Sequence, residues 1–102
     1  MTDKEKWSWI DGYLGRYKVS THGRILSFAT SKPKILHPTV HKSGNIKINL
    51  MKNGEMKTHF LGRLVYESFM PRLRGQTLIH IDDDLRNNRL NNLQPRRTKD
   101  GS

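Results

Sequence analysis

The chain contains no cysteine. That excludes a disulfide framework, a thiolate zinc site and a cysteine nucleophile. Acids are scarce, with 9 Asp+Glu against 19 Lys+Arg and a formal net charge of +10. No apolar run approaches the roughly 20 residues of a membrane-spanning helix. The opening Met-Thr-Asp-Lys-Glu-Lys-Trp lacks the apolar centre of a signal peptide. A cytoplasmic protein without a membrane partner is therefore expected. Apolar residues make up 33% of the 102, enough for one domain with a small core.

The basic residues are unevenly placed. From Gly12 to Gly54 there are eight (Arg16, Lys18, Arg24, Lys32, Lys34, Lys42, Lys47, Lys52) and no acid. From Leu85 onward Arg86, Arg89, Arg96, Arg97 and Lys99 face Asp100 alone. A surface of this kind attracts a polyanion, because each neutralised phosphate releases condensed counterions. A merely soluble basic protein explains an acid-free stretch of this length less well. No segment pairs a basic face with a wide apolar one, which argues against a membrane surface.

Punctuation along the chain predicts an α+β fold with antiparallel pairing. Tyr17 and Val19 alternate with polar residues as a strand, Ser20 to Gly23 reads as a turn, and Arg24 to Phe28 returns. Thr30 to Pro38, with two prolines, reads as an exposed loop. Ile46, Ile48 and Leu50 alternate with Lys47 and Asn49, a half-buried strand with a cationic outer face. Asn53-Gly54 favours a type I′ hairpin turn, and Lys57 to Phe60 pairs back. Leu61, Leu64, Val65 and Phe69 follow helical spacing until Pro71. Leu78 to Ile81 reads as a short strand. A last short helix holds Leu90 and Leu93, capped by Asn87 or Asn88.

His80 is the residue with chemistry to offer. Strand alternation points its side chain opposite to Ile79 and Ile81, so isoleucines turned to the core leave it turned outward. Histidine as a residue type titrates near neutral pH and can serve as a general base. The acid run Asp82-Asp83-Asp84 follows, either as a solvated turn with Asx-type hydrogen bonds or as part of a hydrolytic centre. Asn87, Asn88, Asn91 and Asn92 crowd the next positions, and pairs four apart share a helical face. Their amides can fix a loop by bonding its backbone.

The stretch His80-Ile81-Asp82-Asp83-Asp84-Leu85-Arg86-Asn87-Asn88-Arg89-Leu90-Asn91-Asn92-Leu93 resembles the HNH signature of phage and intron-encoded homing endonucleases. Leu61 to Phe69 is similar to that family's His-Arg-Leu-Val helix, and Ile46 to Lys57 to the hairpin before it. Trp9-Ile10-Asp11-Gly12-Tyr13-Leu14-Gly15-Arg16-Tyr17-Lys18-Val19-Ser20, with Gly23-Arg24 and Ser27, resembles the NUMOD4 module often joined to such nucleases. The chain departs from the pattern at Gly62 (family His), Ile79 (often a metal ligand), Asp83 (family Gly), Pro95 and Gly101.

The resemblance implies a small antiparallel β-rich N-terminal part, residues 1–43, joined to a ββα-metal motif over residues 44–102, together one compact unit. It implies His80 as general base, Asn92 as the residue that fixes the loop and orients the histidine, and Asp82 and Asn88 as supports of the turn. A divalent metal, magnesium or manganese, is implied if the protein cleaves, with its ligands unassigned. Arg16, Lys18, Arg24, Lys42, Lys47, Arg63, Arg89, Arg96 and Arg97 are the candidates for contact with DNA. Three functions stay open on sequence: a metal-dependent endonuclease or nicking enzyme, an inactive relative that binds DNA, and a phage-type inhibitor docking on an acidic host protein.

Overall fold

The computed structural model describes residues 4–96. Strands β1 (Trp7–Trp9), β2 (Tyr17–Ser20), β3 (Ile25–Ser27) and β4 (Lys34–Ile35) form one antiparallel sheet in that order. Alternation turns Tyr17 and Val19 of β2 into the core and Lys18 to the other face. There the Lys18 ammonium lies 4.6 Å from the centroid of Trp9, its cross-strand partner. The β2–β3 turn is closed by the buried hydroxyl of Ser20, which accepts the N–H groups of His22 and Arg24.

A second sheet holds β5 (Thr39–Val40), β6 (Ile46–Lys52) and β7 (Glu55–Phe60). Asn53 and Gly54 both adopt positive φ, 51° and 80°, as the expected type I′ turn requires. Ile48 and Leu50 are buried while Asn49 is exposed. Helix α1 (Leu61–Phe69) follows β7 without a linker and buries Leu61, Gly62, Val65 and Tyr66. Its exit is tied back, because the Leu73 N–H donates to the Glu67 carboxylate at 3.0 Å.

Strands β8 (Leu78–His80) and β9 (Leu93–Pro95) pair antiparallel and are joined by the acid and asparagine-rich loop, which ends in a 3-10 turn, Leu90–Asn92. Within the described residues no helix follows β9. One apolar cluster unites the parts, with Val19 and Ile25 from the first sheet, Leu50 from the second, Val65 from α1 and Leu93 from β9.

Three local expectations are corrected. The segment Thr30 to Pro38 is not all loop, because Ile35 and Lys34 pair with Leu26 and Ser27 as an edge strand. The last short helix is only a 3-10 turn that starts from Arg89 with no side-chain cap. Asn87 and Asn88 do not cap it, since their amides bond elsewhere in the loop. The isoleucines flanking His80 also do not face the core, since Ile81 is 56% exposed. His80 stands opposite the buried Leu93, and Leu78 packs against the core, so the inward face of β8 is the one that carries the histidine.

Candidate active site

The loop after His80 is organised around one carboxylate. Asp82 Oδ1 accepts the Asp84 N–H at 2.8 Å and Asn92 Nδ2 at 2.9 Å, and its Oδ2 accepts Asn87 Nδ2 at 2.8 Å. The Asn87 amide, then the Asp84 N–H and the Asn92 amide, hold the Asp82 carboxyl below its ordinary range. Asp84 accepts the Arg86 N–H at 3.0 Å. The acid run is thus a pair of Asx turns. Asp83 sits at φ 63°, a conformation open to Asp and natural to the glycine of the resembling family.

Asn92 is 6% exposed and clamps both ends of this loop. Its Oδ1 accepts the Asp82 N–H at 3.1 Å, and its Nδ2 also donates to the Asn87 carbonyl at 2.8 Å. All three bonds lie within the loop, and none is to the His80 ring. That partner is Asn88, expected only to support the turn. Asn88 Oδ1 lies 2.8 Å from His80 Nε2, and Asn88 Nδ2 donates to the Leu85 carbonyl at 3.1 Å. The second bond fixes the first. A carbonyl can only accept, so Nδ2 faces Leu85 and Oδ1 faces the ring. In the neutral imidazole the hydrogen therefore sits on Nε2, and Nδ1 keeps a free lone pair. The two asparagine pairs share no helical face, because only Leu90–Asn92 is helical.

His80 and Asn88 line a cavity of about 230 Å³ between β8 and the start of α1. Phe60, Leu73 and Leu78 supply its apolar wall, and Arg63, Asn45 and Gln76 its polar rim. Arg63 is exposed and donates through Nε to Glu67 at 3.3 Å. Lys47 stands opposite Phe60 in the β6–β7 ladder, and Lys42 lies in the β5–β6 turn that carries Asn45. Exposed Arg96 follows β9 and donates its N–H to the Thr77 carbonyl beside the cavity, while Arg89 is exposed on the loop itself. Asn45, Phe60 and Gln76 carried no signal in the sequence, because they reach the site from three separate segments.

The first sheet holds its cations differently. Arg16 is exposed. Arg24 forks onto Glu5 and lies 5.3 Å from the Trp7 ring centroid. That bond brings the Glu5 carboxyl down to about 2. Arg24 is thus engaged in a pair within the chain. Arg97 and the positions near Gly101 lie outside the described residues.

A second histidine occupies the opposite side of the β7 ladder. His59 Nε2 lies 2.6 Å from the Tyr13 hydroxyl, which joins the two sheets. Burial, then the Lys57 charge, lowers the His59 pKa, and burial raises that of Tyr13.

The described residues do not fit a protein-held metal. No three His, Cys, Asp or Glu side chains among them cluster as ligands. Ile79 cannot ligate, and both Asp82 oxygens are already bonded within the loop.

Comparison with known proteins places this geometry. Residues 5–50 match the NUMOD4 motif, a span that ends within β6. DNA endonuclease I-HmuI of Bacillus phage SP01 is 34% identical over 90 residues, covering 87% of this chain and 51% of that protein. A solved structure concerning DNA binding and cleavage by the HNH homing endonuclease I-HmuI superposes with a TM-score of 0.79. It is 34% identical and covers 88% of this chain and 51% of its own. The chain therefore spans about half the length of the relative it matches.

Proposed function

The chain is a relative of the HNH homing endonucleases and carries a NUMOD4 motif; from that premise we propose that it binds DNA across the His80 cavity and cleaves a phosphodiester there. The observation that carries this reading is the fixed ring. Asn88 accepts from Nε2, which leaves Nδ1 as the base. Nδ1 takes a proton from a water molecule as its oxygen forms the new bond to phosphorus and the ester P–O bond breaks, the leaving ester oxygen keeping the electron pair and taking a proton from solvent. Arg63 at the rim holds the phosphate negative charge, and Lys47, Lys42 and Arg96 extend the track for the neighbouring backbone. No step is assigned to a metal, for which the described residues offer no ligand set.

That same lack of ligands favours a second reading, binding without cleavage. Incubation of supercoiled plasmid with the full chain in magnesium or manganese separates them. Nicking that His80→Ala abolishes supports the first. Nicking that survives His80→Ala removes the histidine from the mechanism. Salt-sensitive binding with no nicking by the unmodified chain establishes the second. No observation favours the host-protein reading.

A further inference from the structure

We infer that Gly62 is a positioning residue for His80, acting through Asn88; the inference rests on the proposed role of the His80 ring. Among the described residues Gly62 is the one glycine inside an α-helix, and its φ is not in the left-handed region. Backbone freedom therefore does not explain it, and glycine is a poor helix former. Space does explain it. A Cβ built on Gly62 lies 2.8 Å from Asn88 Oδ1 and 3.6 Å from Leu93 Cδ2. The second distance is ordinary contact, whereas the first is a clash with the atom that accepts the His80 hydrogen.

Asn88 has little room to retreat. It is 5% exposed, its Nδ2 is held by the Leu85 carbonyl, and a Cβ on Gly23 would lie 3.3 Å from its backbone oxygen. Asn88 thus sits with its backbone against the β2–β3 turn and its carboxamide against the first turn of α1. The bare backbone of Gly62 lets Oδ1 reach the ring at 2.8 Å. Any side chain at 62 moves that oxygen, takes the acceptor from the Nε2 hydrogen and frees the ring to rotate.

The test is imidazole nitrogen NMR and urea unfolding on the full chain, with Gly62→Ala, Asn88→Ala and the double variant. The unmodified chain shows the His80 Nε2–H in a hydrogen bond. Gly62→Ala and Asn88→Ala each lose that hydrogen bond. Gly62→Ala lowers stability in the unmodified chain but not in the Asn88→Ala background, where the carboxamide is gone and alanine is the better helix former. The background comparison keeps the test decisive even if the single variant folds poorly. Retention of the hydrogen-bonded Nε2–H in Gly62→Ala overturns the inference, as does an equal loss of stability in both backgrounds. Where the unmodified chain nicks DNA, Gly62→Ala slows it about 100-fold, the scale of a misplaced reacting group. A chain that never nicks, yet shows these hydrogen-bond and stability effects, refutes the cleavage reading and supports the positioning role of Gly62.

Discussion

Replacing Asn92 by alanine tests the loop that presents His80. The substitution removes the bond from the Asp82 N–H, the bond to the Asp82 carboxylate and the bond to the Asn87 carbonyl. A neutral hydrogen bond contributes about 1 kcal/mol net, and more where it leaves a buried group unpaired. Asp82 is exposed, so solvent screens its bond and that bond adds little. Water cannot simply replace the amide, because Asn92 is buried. The expected loss is about 2–4 kcal/mol, a large part of the roughly 5–15 kcal/mol that holds a small domain. Urea unfolding reads it as a lower midpoint at unchanged slope. Asn92→Asp is at least as damaging at neutral pH, because its carboxylate meets that of Asp82. A loss under about 0.5 kcal/mol for Asn92→Ala, the range of ordinary surface changes, refutes the clamp.

Glu5 titrates near 2 in the folded protein against 4.5 unpaired, so the unfolded chain binds its proton first as acid is added. Its contribution is present above pH 4.5 and is lost toward pH 2; Glu5→Gln flattens that limb of a stability–pH curve. His59 resists protonation when folded, so stability falls as pH drops below 6.5. His59→Gln, which can still accept from Tyr13, removes that slope in thermal melts. Arg63→Ala weakens DNA binding and lowers the slope of log affinity against log salt by about 0.9, one phosphate contact. Arg24→Ala leaves the slope unchanged, because its guanidinium is spent on Glu5; a slope that falls equally for both places Arg24 on the DNA.

Legibility in the sequence followed the physics of each element. The β6–β7 hairpin and α1 were readable because alternation, Asn53-Gly54 and Pro71 are local signals. Strand β4 was not, since two residues beside Pro33 gain strand character only from pairing with β3. Strand β9 was masked by Pro95, which an edge position tolerates. Missing β9 also inverted His80, because the burial of its partner Leu93 decides which face of β8 turns inward. Which asparagine lies against the ring was hidden for a similar reason. Residue type marks an asparagine as a loop clasp, but only the folded loop, bent at Asp83, shows which amide reaches the imidazole.

The central claim is that DNA lies against the ring of His80. Titration of histidine-labelled full chain with a short DNA duplex, followed by imidazole nitrogen NMR, reads this without requiring cleavage. The expected result is a shift of the His80 signals at saturation, with those of His59 on the opposite side of the β7 ladder unmoved. A saturated complex in which His80 is unchanged contradicts the account.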